Sequence, residues 1–165
     1  MSKEVIFINP ETNGFILIEE AVLRKMDKYR QQSIRSKEAG GIMLGFRRGP
    51  HLEIIDITLP FPLDIRKRAF FYRCDPLHDK YANKLWKKSE NTIDYLGEWH
   101  THPELVPIPS VLDKSEWKKV TASQKSEMAF LILGINSIWL GIGNGLSLCA
   151  TKEVPNKVDD MRSCK

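Results

Sequence analysis

Two histidines stand two residues apart in Glu98-Trp99-His100-Thr101-His102-Pro103, and a serine and an aspartate follow at Ser110 and Asp113. They are two of only four histidines among 165 residues, so their pairing needs a cause. On a strand, residues two apart point to one face, so both imidazoles can address one ion while Thr101 points away. Two histidines and a carboxylate leave one tetrahedral position open to water, which separates a catalytic zinc from a structural one. The pattern reads as a metal-dependent hydrolase. On the dipeptide spacing alone, a pair of satisfied surface histidines at a strand end competes with it.

Ser110-Val111-Leu112-Asp113 also has a reading without chemistry. A serine followed three residues later by an acid, after a proline, is how a helix begins: Ser110 caps it and Asp113 answers its orphan amides and dipole. The two readings are compatible, because a helix start is a rigid platform from which Asp113 can reach the ion. Pro103, Pro107 and Pro109 stiffen the connection. Two glutamates compete as general base. Glu98 would share a face with His100, whereas Glu38 precedes Gly40-Gly41, whose missing side chains permit close backbone approach to a site. Spacing leaves that choice open.

The elements that must position these residues follow from periodicity and turn residues. Residues 5–8 and 15–18 are β-rich runs separated by Asn9-Pro10 and Asn13-Gly14, an opening hairpin. From 19 to about 33, Val22, Leu23, Met26 and Tyr29, with Ile34 just beyond, recur at helical spacing. Strands follow at 42–46 and 51–59, then a loop over 60–68 and a strand at 70–72. A second helix spans 76–89, with Asp75 as its cap, Pro76 at its first position, and Leu77, Tyr81, Leu85 and Trp86 on one face. The strand 92–99 delivers the histidines, 110–122 is a third helix, and strands at 128–134, 137–143 and 146–151 close the chain. These last strands are joined too tightly for parallel crossovers, which need about a dozen residues. The order therefore predicts an α/β domain over 1–153, with a mixed, largely antiparallel sheet flanked by helices, and a polar tail over 154–165.

Composition excludes more than it selects. With 42% hydrophobic and 28% charged residues the chain is an ordinary globular protein. A net charge of +4 is spread over short basic pairs such as Arg47-Arg48 and Lys87-Lys88, which reads as solvated surface and not as a nucleic-acid face. No apolar run approaches the ~20 residues that span a bilayer. Cys74, Cys149 and Cys164 are too dispersed to clamp a metal and read as reduced, mostly structural thiols. A cytoplasmic protein with no nucleic-acid or membrane partner is expected.

Glu38 with Gly40-Gly41-Ile42-Met43-Leu44-Gly45, then His100-Thr101-His102, seven residues, Ser110, two residues and Asp113, resembles the JAB/MPN domain with the JAMM metalloprotease motif. The resemblance implies the three-layer, cytidine-deaminase-like architecture of that family and a JAMM zinc metallopeptidase activity. It implies one Zn2+ held by His100, His102 and Asp113 with a bound water, Glu38 as general base, Ser110 as donor to the substrate carbonyl and its oxyanion, and a supporting role for Glu98. Relatives of this kind cut the bond after the C-terminus of ubiquitin or a ubiquitin-like modifier. More narrowly, the chain is similar to the stand-alone JAB peptidases of type II CBASS anti-phage operons. Those release a cGAS-like nucleotidyltransferase that an E1/E2-like enzyme has conjugated through its C-terminal tail to a protein. Processing of a ubiquitin-like sulfur carrier and an inactive MPN-like scaffold are the alternatives inside the family. Outside it, a non-haem iron oxygenase shares the ligand types but leaves Glu38, Gly40, Gly41 and Ser110 unexplained. A zinc deaminase would need the Pro-Cys-x-x-Cys signature that is absent here.

Overall fold

The computed structural model describes residues 3–145 and 147–155. Among them the chain forms β1 (Val5–Ile8), β2 (Phe15–Ile18), α1 (Glu20–Asp27), β3 (Gly40–Arg48), β4 (His51–Ile57), β5 (Ile65–Lys67) and β6 (Phe70–Tyr72). There follow α2 (Leu77–Lys88), β7 (Asp94–Thr101), α3 (Val111–Ser123), β8 (Met128–Leu133), β9 (Ile138–Asn144), β10 (Ser147–Ala150) and β11 (Lys152–Glu153). No helix among the described residues is long and apolar enough to cross a membrane.

Nine strands make one sheet in the order β10, β9, β8, β7, β3, β4, β2, β1, β11, while β5 and β6 pair as a separate hairpin. Only β2 with β4 and β7 with β8 run parallel, so the sheet is mixed and mostly antiparallel, as the tight connections require. β10 and β11 lie at opposite edges, yet a single residue, Thr151, separates them. Since consecutive Cα atoms are ~3.8 Å apart, the sheet must curl until its edges nearly meet.

β8 shows how the core is divided. All six of its residues are buried, and they alternate between two clusters. Ala129, Leu131 and Leu133 join the main core with α1 residues Val22, Leu23 and Met26, whereas Met128, Phe130 and Ile132 pack under Trp117 of α3. Trp117 stacks on Phe130 at 4.8 Å and on Trp139 at 5.7 Å, which presses α3 onto β8 and β9. The helix that starts at Ser110 is thereby fixed beside the strand that carries His100.

A bulge sets which residues of β7 face the site. Met43 pairs with Gly97 but Leu44 pairs with Tyr95, so Leu96 is an extra residue on β7. Both Leu96 and Trp99 therefore enter the main core although they are three apart, and beyond the bulge Glu98 and His100 share the opposite face. Gly97 is required there: a Cβ would lie 1.7 Å from the Ala129 carbonyl oxygen.

Several expected boundaries shift for identifiable reasons. α1 ends at Asp27 instead of near residue 33, because Gln31 turns inward to donate to the carbonyls of Ser36 and Arg68. Ile34 is consequently 79% exposed and not on a helical face. The stretch 60–68 is not wholly loop, since Ile65–Lys67 pairs with Phe70–Tyr72. Pro76 occupies the N-cap of α2, although Asp75 still accepts from Leu77 N–H. The residue α2 buries fully is His78, while Leu77 and Trp86 are exposed. Cys74 is exposed and Cys149 half-buried, so Cys74 is no core thiol; Cys164 and most of the 154–165 tail lie outside the described residues.

Candidate metal centre

β7 ends where the chemistry begins. His100 is one of its last residues and His102 follows directly, and their Nε2 atoms face one another at 2.9 Å. Asp113 closes the triangle, with Oδ1 3.3 Å from His100 Nε2 and Oδ2 3.4 Å from His102 Nε2. Ligands about 2.0–2.1 Å from a tetrahedral metal stand about 3.3 Å from each other, so the two Asp113 edges, one from each carboxylate oxygen, are of the size a shared cation spans, and one ligand atom from each residue lies within 4.8 Å of the others. Both histidines are 8% exposed, and the Trp117 ring lies 5.7 Å from that of His100. Thr101 points to the other side, where its hydroxyl accepts from Ala39 N–H and donates to Gln31.

The electrostatics also call for a positive charge. Burial raises the Asp113 carboxyl, but hydrogen bonds from His100 and then His102 overcome it and hold the group far below the usual carboxylate range. Burial works against a charged His102, yet Asp113, Glu38 and Glu104 together raise its pKa. Carboxylates that favour a proton on that imidazole favour a metal cation in the same place. The donor set of two imidazoles and one carboxylate suits zinc.

Asp113 is aimed by helix geometry. It occupies the third position of α3 and forms a capping box with Ser110: Ser110 N–H and Oγ–H donate to Oδ2 at 2.7 and 2.6 Å, and Asp113 N–H donates to Ser110 Oγ at 3.1 Å. The capping-box partner of Ser110 and the candidate ligand are the same residue.

The two candidate bases are now distinguishable. Glu98 lies in the cleft, but Arg73 donates to its Oε1 at 2.9 Å and Tyr95 O–H at 3.1 Å, so its charge is spent. Glu38, two residues ahead of β3, is 5% exposed and its carboxyl makes no hydrogen bond or ion pair with a described residue. Burial pushes its pKa up to about 8, His102 pulling the other way. Its backbone is fixed by donation to Lys67 O at 2.8 Å and acceptance from Arg66 Nε at 2.7 Å. Gly40 and Gly41 permit close approach beside the site, as their missing side chains suggested. A Cβ on Gly40 would meet the Phe71 ring at 2.6 Å, and one on Gly41 the Thr58 carbonyl oxygen at 2.2 Å, so they admit neighbours that build the walls.

These residues line one cleft of about 730 Å³, with β6 and Arg73 on one side and α3 on the other. Sequence reasoning passed over Arg73, Trp117 and Glu104. Glu104 Oε2 lies 3.5 Å from His102 Nδ1, on the side away from the facing Nε2 atoms, where a carboxylate steadies a ligating imidazole. Its place two residues after His102 was a usable signal.

The family described as prokaryotic homologs of the JAB domain matches residues 19–149. A CD-NTase/cGAS isopeptidase of Escherichia coli (strain TW11681) is 39% identical over 138 residues, covering 84% of this chain and 87% of the relative. One of Vibrio cholerae serotype O1 (strain ATCC 39315 / El Tor Inaba N16961) is 37% identical over 141 residues, covering 86% and 90%. One of Pseudomonas aeruginosa (strain BWHPSA011 / Pa011) is 38% identical over 128 residues, covering 76% and 81%. The solution structure of a Desulfitobacterium hafniense protein superposes with a TM-score of 0.58 at 20% identity, over 81% of this chain and 87% of that one, a likeness of fold. With a match that runs from α1 into β10 and relatives aligned over most of its length, the chain belongs to the prokaryotic homologs of the JAB domain.

Proposed function

We propose that this chain is a zinc-dependent isopeptidase that hydrolyses the bond after the C-terminus of a cGAS-like nucleotidyltransferase, releasing it from protein conjugates in anti-phage defence. The observation that carries the reading is the convergence of His100, His102 and Asp113 within 4.8 Å, beside a buried carboxyl, Glu38, that makes no hydrogen bond or ion pair with a described residue. The three relatives named CD-NTase/cGAS isopeptidase support the choice of substrate.

Zinc, when bound, supplies Lewis acidity that acidifies a water and polarises a carbonyl. Glu38 takes the proton of the attacking water and returns it to the departing amine, and a cation held by His100, His102 and Asp113 would offset the burial that otherwise keeps its carboxyl protonated. Ser110 turns its hydroxyl from Asp113 to the substrate carbonyl as negative charge develops there. Its backbone N–H still holds Asp113 Oδ2 at 2.7 Å, so the hydroxyl can leave without releasing the aspartate. Glu98 stays bound to Arg73 and shapes the cleft wall.

The tail of the modifier lies extended in the cleft. β6 pairs with β5 along one edge, and its cleft-lining residues leave the other edge for strand addition by a peptide. A fusion of the nucleotidyltransferase C-terminal tail to a reporter tests the reading. Cleavage after the last tail residue, lost with a chelator and restored by zinc, is expected; no metal-dependent cut at that junction sinks it.

A further inference from the structure

His78 is a buried histidine that the site does not use. Its ring is held at both nitrogens, with Nε2 2.7 Å from Asp64 Oδ2 and Nδ1 2.6 Å from Thr58 Oγ1. The side chains of His78 and Asp64 are each 0% exposed. Carboxylate, imidazole and hydroxyl in that order are the parts of a nucleophilic triad. Here the hydroxyl is buried and already accepts from Ile42 N–H at 2.9 Å, which removes it from any substrate.

Each end of this chain of bonds holds something else. Asp64 gathers the base of the β5–β6 hairpin by accepting from the N–H groups of Phe61, Cys74 and Asp75 at 2.8, 3.0 and 2.9 Å. Asp75 adds a reciprocal bond from Leu63 N–H at 3.0 Å, so two carboxylates buckle the loop on both sides of the hairpin. Thr58 joins the two strands beneath the site: its hydroxyl holds Ile42 of β3 and its carbonyl accepts from the Trp99 indole of β7 at 3.0 Å. The hairpin then returns to the site, since Lys67 O accepts from Glu38 N–H at 2.8 Å. A two-stranded hairpin is marginal by itself and needs such an anchor to hold a fixed place.

Resting on the isopeptidase reading, we propose that His78 is a positioning residue: by bridging Asp64 to Thr58 it fixes the β5–β6 hairpin in register with the strands that present Glu38, His100 and His102. Removing the Thr58 hydroxyl leaves the hairpin base and the His78–Asp64 bond in place but also frees Ile42 N–H, so the variants at His78 are the telling ones.

The test compares His78→Ala, Thr58→Val and Thr58→Ser by amide hydrogen exchange at Glu38, zinc content, and turnover of the tail–reporter fusion. In His78→Ala and Thr58→Val the Glu38 amide should exchange about tenfold faster or more. In the same two variants kcat should fall about tenfold or more at unchanged zinc content, as a displaced base predicts. Thr58→Ser, which keeps the hydroxyl, should match the wild type in all three. A His78 that served only its own loop would loosen Phe61, Cys74 and Asp75 and leave Glu38 protected, and that result overturns the proposal. If His78→Ala does not fold, His78→Gln decides the matter, because its amide can keep the bond to Asp64 while losing the one to Thr58, and it leaves Thr58 on Ile42 N–H. If the wild type leaves the fusion uncut, the isopeptidase reading falls, while exchange at Glu38 still decides the bridge.

Discussion

Ser110 and Asp113 hold each other by three hydrogen bonds, two of them from Ser110 to the single oxygen Oδ2 of Asp113. Asp113 Oδ1, by contrast, faces His100. The cap of α3 thus fixes which way a candidate metal ligand points. Ser110→Ala should cost about 1 kcal/mol of stability from the lost cap. It should also weaken zinc binding about tenfold, as loss of a partner that orients a ligand does. In its proposed role as oxyanion donor, its removal should lower kcat by about 10²–10³. Thermal melts, zinc titration and turnover separate the three; zinc affinity equal to wild type would confine Ser110 to the substrate.

Glu38→Gln keeps the shape of the side chain and removes its proton chemistry. Turnover should drop about 10²–10⁴-fold with zinc still bound. Full cleavage by the variant would take Glu38 out of the mechanism.

The same residue should leave a mark on the stability of metal-free protein. Its carboxyl has a folded pKa of about 8 against an ordinary 4.5, so between those values the folded chain binds more protons than the unfolded one. Stability therefore falls as pH rises through that window, and the loss is complete above it. Glu38→Gln should flatten this part of the curve, being more stable than wild type at about pH 9 and losing that advantage by about pH 4. Denaturant melts across pH measure it; parallel curves would mean that Glu38 is solvated.

Chelation should abolish cleavage and lower the melting temperature, because a ligand bound only to the folded state at about 1,000 times its Kd stabilises by about 4 kcal/mol. Changing His100, His102 or Asp113 to Ala should remove the response to added zinc. A variant of these three that still binds zinc stoichiometrically would not contain a ligand substitution.

Gly40→Ala places a methyl 2.5 Å from the Trp99 carbonyl oxygen and 2.6 Å from the Phe71 ring. The crowding should cost about 1–3 kcal/mol and push the hairpin off the site, seen as lower activity at normal zinc content. A variant as active and as stable as wild type would show that the hairpin can yield.

The parts of the site that were legible are local ones. His100 and His102 share a strand face by period alone, and Ser110 with Asp113 spells a helix start within four residues. The choice between Glu98 and Glu38 was not legible from spacing. It depends on Arg73 reaching Glu98 across 25 positions and on the hairpin that encloses Glu38. β5 was read as loop because its three residues carry too little periodicity to register, whereas the aromatic run of β6 was read as a strand.

The sequence by itself determined the order of elements, the mostly antiparallel sheet and the residue types of the candidate metal centre, because these follow from short-range alternation, turn chemistry and one strand-to-helix connection. The tertiary structure decided what depends on contacts between distant segments. The bulge opposite Met43 and Leu44 sets which face of β7 holds His100, burial raises Glu38, and Asp64, His78 and Thr58 bind the hairpin to the floor of the cleft. Burial and hydrogen-bond partners are properties of the packed chain, and no window of residues contains them.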